Sequence, residues 1–209
     1  MPSKILPFTR PGQLLPLTVA VAGSAPDIGH PALLRLYRLW CGLAAGGLPQ
    51  RSEITPEALR PWLGHLAIAE IERNPFRIRY RLVGTSLTEL AGHELTGRYV
   101  DELYSRHVRR EVIEAYRGVV RERRPHYRHA RFWLVVKTFG YHRLILPFSS
   151  DGKEADFCLL ALYPDRPEIT RAADWQGHLG RDEIAAWFGQ RPDEKVDEVG
   201  EGRESAPRG

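Results

Sequence analysis

The chain has 209 residues, 43% of them hydrophobic and 27% charged, which supplies one full-sized core and leaves little length for a second large domain. The net charge of +4 is uneven, because residues 1–164 carry 23 basic and 15 acidic side chains (+8) and residues 165–209 carry 7 and 11 (−4). We interpret this pattern as a soluble surface followed by an acidic tail; the alternative is a basic body that attracts nucleic acid or anionic lipid.

Cysteine usage and hydropathy bear on the compartment. Cys41 and Cys158 are far apart and lack the spacing of a zinc site or of a disulfide framework. The apolar stretch at residues 14–22 is interrupted by Pro16 and has few flanking positive charges, unlike a secretory signal. No run approaches the roughly 18 apolar residues of a membrane span. These features predict a cytoplasmic protein.

The first regular element is predicted after a proline-rich leader at residues 1–29. Apolar residues recur at helical spacing over residues 31–45 and end at Gly46 and Gly47, which predicts a strongly amphipathic helix. Its stripe must be buried on a sheet, on a second copy of the chain, or on both. We expect a lid on the sheet and a homodimer contact through Leu36, Tyr37, Trp40 and Leu43.

A short helix and a hairpin are predicted next. Thr55 before Pro56 is a typical helix start, and that helix should end near Gly64. Residues 66–72 and 77–83 read as two strands joined at Asn74 and Pro75. In the second strand apolar and arginine residues alternate, which predicts one buried and one solvated face.

The second strand stops at Gly84 and is followed by helices. Ser86 and Glu89 have capping-box spacing, and the short helix they begin should end at Gly92. A small-residue turn follows at residues 96–97. Residues 108–124 then form the most convincing long helix, with one apolar face, arginines at its end and a proline just beyond.

Three apolar-rich strands complete the predicted domain, at about residues 127–137, 142–148 and 156–163. Phe139 and Gly140 are expected to form the first intervening turn and residues 150–152 the second. The elements together predict an α+β fold around one antiparallel sheet. The C-terminal extension, residues 166–209, should contain a short helix at 182–188 and be disordered past about 190.

A family resemblance is carried by the segment RIRYRLVGTSLTELAGHELTGRYVDEL at residues 77–103. It contains a strand, a short helix and the pattern G-x-x-L-x-G-R-x-x-x-E-L, formed by Gly92, Leu95, Gly97, Arg98, Glu102 and Leu103. This segment resembles the entry to a PAS domain. With residues 33–72 it is similar to a stand-alone PAS-like family of proteobacteria, formerly classed as a domain of unknown function.

The resemblance covers residues 30–165 and implies a sensory or regulatory module with a five-stranded antiparallel sheet, helices on one face and an N-terminal helix as lid or dimer element. It implies no reaction. PAS domains hold small ligands between sheet and helices, so the resemblance also gives candidate lining residues: Tyr80, Leu82, Leu87, Leu90, Tyr99, Leu103, Val112, Tyr116, Phe132 and Leu134. A filled core without a cavity is the open alternative.

Cofactors are left unknown by the sequence. The reactive-cysteine segment of flavin-binding PAS domains is absent, and Cys158 lies in an apolar strand where a buried, inert thiol is expected. Haem-binding PAS domains carry a histidine on the long helix, whereas His107 stands just before it. Neither flavin nor haem is therefore expected. His93, His107, His126 and His129 fall on different elements without ligand spacing, so no metal site is expected.

Enzymatic chemistry has no motif to support it, which predicts a protein that is not an enzyme. The densest basic region comprises Arg106, Arg109, Arg110, Arg117, Arg121, Arg123, Arg124, Arg128 and Arg131. We interpret it as a solvated helix face paired with Glu111, Glu114 and Glu122; the alternative is contact with nucleic acid. The functional hypothesis is a sensory module that binds an unidentified signalling partner. The alternatives are a ligand-free structural adaptor and a nucleic-acid binder.

Overall fold

The structure is a computed structural model that describes residues 27–104, 106–134 and 137–166. The helices are α1 (Pro31–Leu43), α2 (Pro56–Leu59), α3 (Thr85–Ala91), α4 (Val100–Leu103) and α5 (Arg106–Glu122). The strands are β1 (Leu66–Arg73), β2 (Phe76–Val83), β3 (His126–Leu134), β4 (Lys137–Phe148) and β5 (Phe157–Pro164), with single 3-10 segments at Ala44–Gly46, Arg51–Glu53 and Arg60–His65. Residues 1–26 of the predicted leader and the predicted helix at 182–188 lie outside the described residues.

One five-stranded sheet organises the domain, in the order β2-β1-β5-β4-β3. All of its strand pairs are antiparallel, which confirms the predicted α+β class and the β1–β2 hairpin. The peptide bond between Asn74 and Pro75 in that hairpin is cis. In the described part of the chain, no helix is long and apolar enough to cross a membrane.

Helices cover both faces of the sheet, as the sequence predicts. On one face α1 packs with Leu33 and Leu36 almost fully buried against apolar side chains of β4 and β5. The predicted leader also contributes here, because Ile28 is buried in the same cluster. On the other face α3, α4 and α5 cover a second core cluster that includes Ile78 and Ile145. The sheet therefore separates two interiors.

Of two predicted helix N-caps, Thr55 and Ser86, the structure confirms the first and contradicts the second. The Thr55 hydroxyl accepts a hydrogen bond from the Ala58 amide at 3.2 Å, which confirms the predicted cap of α2. The predicted cap at Ser86 is wrong, since α3 begins at Thr85 after Gly84 and has no side-chain cap. A Cβ on Gly84 would overlap the backbone of Leu63 and Gly64. Gly84 is thus needed for close approach of the two segments.

Two strand predictions are corrected. Phe139 and Gly140 lie inside β4, opposite β3, and do not form a turn. In β2 the register shifts so that Ile68 pairs with Leu82 and Ala69 with Tyr80, which leaves Arg81 as an extra residue. Such a bulge interrupts the alternation of side chains along a strand. Its consequence for the predicted ligand site is described below.

Candidate functional site

The interior between the sheet and α5 is the place where the predicted lining residues can be tested. Tyr80, Leu87, Leu103, Val112 and Tyr116 are all buried in the core cluster on this side of the sheet. They come from β2, α3, α4 and α5. Half of the predicted set therefore meets in one interior.

Three predicted lining residues are not members of this core cluster. Leu82 is 47% exposed, because the bulge at Arg81 places it opposite Ile68, which packs on the α1 side of the sheet. Leu90 is only half-buried. Tyr99 lies at the rim, where its hydroxyl donates to the Glu72 carboxylate at 2.8 Å.

The last two predicted lining residues, Phe132 and Leu134, are on β3. The structure gives their strand register, opposite Phe139 and Lys137, but their side chains lie outside the described part of the chain. Their place in the lining stays a prediction.

Two buried arginines are the main feature that the sequence did not predict. Arg128 of β3 and Arg143 of β4 are directly opposite each other in the sheet register. Only 6% and 4% of these residues is exposed. Both guanidinium groups contact the same carboxylate oxygen of Glu111 on α5, the contact from Arg143 being 2.9 Å. Two buried cations thus share one carboxylate.

Three tyrosines, Tyr80, Tyr104 and Tyr116, lie near Arg143. The hydroxyls of Tyr80 and Tyr104 lie 3.4 Å apart. The buried Tyr116 hydroxyl makes no hydrogen bond of ordinary geometry with a described residue. Burial raises the pKa of all three phenols well above its usual range. They therefore stay protonated and are available as hydrogen-bond donors.

We call this group the polar cluster: Tyr80, Tyr104, Glu111, Tyr116, Arg128 and Arg143. The Nε atoms of both arginines make no hydrogen bond with a described residue. Nearby, burial and then the charge of Arg143 lower the pKa of His126 to about 4, so this imidazole is neutral at pH 7. The polar cluster has an excess of positive charge and of donors, which is the chemistry that recognises a carboxylate or phosphate.

The predicted dimer residues on α1 divide into two groups. Leu36 is buried against its own sheet, and its part in a dimer contact stays a prediction. Tyr37, Trp40 and Leu43 are half-buried, and the Trp40 indole donates to the Pro147 carbonyl at 2.8 Å. A cleft of about 90 Å³ lies beside Trp40 and Leu43, and its lining includes Leu36, Leu39, Leu146 and Phe148.

Cys158 and His107 are the two residues that the sequence analysis discussed in connection with flavin and haem. Cys158 is buried on β5, as expected, and burial raises the pKa of its thiol far above the usual range. His107 was expected just before the long helix, whereas α5 already begins at Arg106. The His107 side chain lies outside the described residues, so its role stays a prediction.

The basic region does not form one surface. Arg128 points into the interior rather than to solvent, and Glu111 pairs there instead of on the helix face. On the solvent side, Arg117 lies 3.5 Å from Glu114 and Arg121 lies 2.8 Å from Glu122, which agrees with the predicted paired helix face. The arrangement gives no added support to nucleic-acid binding.

The sequence and the structure were compared with known proteins. The family model described as "PAS domain" matches residues 28–162, and no curated protein matches the sequence. A solved structure from a study of a flavin analogue in a light-oxygen-voltage domain is similar, with a TM-score of 0.39 and 13% identity over 58% of this chain and 90% of that one. Because this family model matches well over half of the sequence, the chain belongs to the PAS domain family.

Proposed function

We propose that this PAS domain is a cytoplasmic regulatory module that binds a small anionic ligand at the polar cluster. Binding changes the packing of α1, and α1 forms a contact with another protein chain. The module acts by binding and is assigned no reaction. The observation that carries the proposal is the buried pair Arg128 and Arg143, which shares the single carboxylate of Glu111.

The energetics of burial support a binding role. Two buried guanidinium groups require compensation, and apolar replacements of buried ion pairs are often neutral or stabilising. A core that serves packing alone has no need for Arg143, which is 4% exposed, or for Arg128 beside it. We infer that the polar cluster is retained because a bound anion completes its charge and hydrogen bonds.

The geometry narrows the class of ligand. A guanidinium fork binds carboxylate and phosphate oxygens in pairs, and the donors left over on both arginines are the Nε atoms. The tyrosine hydroxyls add uncharged donors at the α4 and β2 side. A small carboxylate or phosphate compound fits this donor set. It would either replace Glu111 as the partner of the arginines or bind to them together with Glu111.

Strand β4 connects the polar cluster to α1. Arg143 points toward α5, whereas Leu144 and Leu146 belong to the core cluster under α1. The carbonyl of Pro147 on the same strand accepts the Trp40 indole bond. A ligand shifts a conformational equilibrium only if it binds one state more tightly than the other. A ligand that binds more tightly to one position of β4 would therefore change the packing of α1.

A ligand experiment tests the first half of the proposal. Untagged full-length protein is measured by native and denaturing mass spectrometry, and then by thermal unfolding with citrate, succinate or inorganic phosphate. We expect a retained mass or a higher Tm with at least one of these anions. Arg143→Met should abolish the shift and still fold, because the remaining Arg128 is balanced by Glu111.

Arg110→Met is the matched control, since Arg110 is exposed on α5 and should leave the anion effect intact. A wild-type protein with a clean apo mass and no anion-dependent Tm, together with an Arg143→Met variant of equal or greater stability, would overturn ligand binding. That outcome would favour the ligand-free structural adaptor.

The protein contact is proposed to be a homodimer through Tyr37, Trp40 and Leu43. Their half-burial on α1 beside the cleft leaves apolar surface for a second copy. Light scattering should give twice the monomer mass for wild type and the monomer mass for Leu43→Glu. Leu63→Glu is the control, because Leu63 is 43% exposed but lies outside α1. A monomeric wild type at all concentrations would refute the dimer.

A further inference from the structure

A second cluster lies on the α1 side of the sheet, where the end of β5 meets the middle of β4 and β3. His129 of β3 and His142 of β4 are directly opposite in register, and their rings stack with centroids 4.0 Å apart. Asp165 follows β5, and its Oδ1 lies 2.9 Å from His129 Nε2 and 3.2 Å from His142 Nε2. One ligand atom from each of the three residues lies within 4.8 Å of the others.

The backbone holds Asp165 in this position. Its amide donates to the Gly140 carbonyl at 2.9 Å. A Cβ on Gly140 would overlap the Asp165 carboxylate and press against the Ala130 carbonyl. Gly140 in β4 therefore makes room for the carboxylate beside the two imidazoles, which explains a glycine in the middle of a paired strand.

The second nitrogen of His142 is also fixed. Its Nδ1 lies 2.7 Å from the Tyr127 hydroxyl, and that hydroxyl accepts a bond from the Gly29 amide at 3.2 Å. Metal-binding histidines commonly have their other ring nitrogen held in this way, which orients the ring and fixes the tautomer. The Nε2 atom is thereby directed toward Asp165.

We propose that His129, His142 and Asp165 bind a divalent transition metal ion, with Zn²⁺ as the reference ion. Two imidazole nitrogens and one carboxylate oxygen are ligands that suit zinc, and three protein ligands leave a position for water or another donor. The separation of the donor atoms allows all three to reach one ion with small side-chain adjustments. This inference is independent of the anion site, which faces the opposite side of the sheet.

The site lies where the N-terminus of α1 meets the sheet. The Gly29 amide donates to the Tyr127 hydroxyl that contacts His142, and the ring of His30 lies 5.3 Å from that of His142. His30 directly precedes the first residue of α1. A bound ion would fix the sheet side of this junction and so strengthen the attachment of α1.

The test uses untagged full-length protein, stripped with EDTA and titrated with ZnCl₂ by calorimetry. We expect one Zn²⁺ per chain and a higher Tm with Zn²⁺. His129→Ala and Asp165→Asn should each weaken binding by more than about 100-fold, because loss of a residue that only hydrogen-bonds to a metal ligand typically costs about 10–100-fold. Co²⁺ should give the intense visible bands of a four-coordinate ion in wild type and lose them in both variants.

His93→Ala is the control, since His93 lies in the loop after α3 and its Nδ1 is 3.0 Å from the Ala91 carbonyl. It should bind Zn²⁺ like wild type. Absence of stoichiometric binding in wild type, or equal binding by His129→Ala, would overturn the site and leave a hydrogen-bonded histidine–aspartate cluster without metal. Tyr127→Phe adds a graded test, with weaker binding expected and the fold retained.

Discussion

The two faces of the sheet differ in chemistry although β4 contributes to both. Under α1, this strand presents Leu144, Leu146 and Phe148, all buried in an apolar cluster. Under α5, the same strand presents Tyr141, Arg143 and Ile145, so that polar groups are buried beside apolar ones. Between Leu144 and Phe148 the α1 side of β4 is stabilised by apolar packing, whereas the α5 side depends on the contact of Arg143 with Glu111.

This difference in chemistry bears on which side of the sheet is more sensitive to a bound molecule. An apolar interface is stabilised by many small contacts and changes little when one polar molecule arrives. The polar cluster instead has two cations for one carboxylate, so we expect the binding of a single anion to change its energy strongly. In the proposed function, the α5 side is the ligand-binding side and the α1 side forms the protein contact.

The largest expected effect comes from removing the shared carboxylate. Glu111→Gln leaves Arg128 and Arg143 buried without their counter-charge, and breaking a buried pair typically costs about 3–5 kcal/mol. We expect a loss near the lower end, about 3 kcal/mol in the free energy of unfolding, because 26% of the Glu111 side chain is exposed. Urea unfolding measures it.

Glu114→Gln is the matched control on the solvent side of α5, where the side chain is 61% exposed; it should change stability by less than about 0.5 kcal/mol. Phosphate or citrate should recover part of the stability lost in Glu111→Gln. Equal stability of the two variants would mean that the arginines do not depend on Glu111, and the contrast between the faces would fail.

A second prediction concerns pH. The unfolded chain protonates His126 near pH 6.5, whereas the folded chain does so only near its pKa of about 4. The unfolded state thus binds more protons in this window. Stability should fall as pH decreases from about 6.5 toward 4, by up to about 1.4 kcal/mol per pH unit.

Replacing the imidazole should reduce this slope. His126→Gln is compared with His65→Gln by urea unfolding at several pH values. Burial also lowers the pKa of His65, but this residue lies on the α1 side of the sheet and is only partly buried. Its replacement should therefore reduce the dependence of stability on pH by less. An unchanged slope in His126→Gln would show that the folded protein already accepts the proton at that position.

Much of the fold follows from sequence periodicity. The long helix, the β1–β2 hairpin and the cap at Thr55 are all recognisable because their signals are local. Leu82 shows where this reasoning fails, since the alternation in β2 continues in the sequence but the bulge at Arg81 reverses it in the structure. A bulge depends on the partner strand, and the partner is not visible in a single segment.

The polar cluster escaped prediction for a related reason. Arg128 belongs to a basic stretch and reads as surface, and Arg143 is 15 residues further along the chain. Only the pairing of β3 with β4 places the two side by side. The same pairing brings His129 to His142, so both clusters depend on strand register rather than on motif spacing.

The smallest expected effect distinguishes the two interpretations of Trp40. In the structure its indole donates to Pro147 at 2.8 Å, and the indole of Trp62 donates to Ala32 at 2.8 Å. Trp40→Phe and Trp62→Phe should therefore each cost about 1 kcal/mol in unfolding free energy, the typical net worth of one hydrogen bond. Urea unfolding is measured beside light scattering.

A stability loss for Trp40→Phe with unchanged mass would mean that Trp40 attaches α1 to its own sheet. Unchanged stability with loss of the dimer would mean the reverse, that Trp40 faces a second copy and that the Pro147 bond contributes nothing in solution. Trp62→Phe serves as the reference because Trp62 is buried and has no proposed role in the dimer. The comparison decides whether the apolar face ends at α1 or continues into a partner.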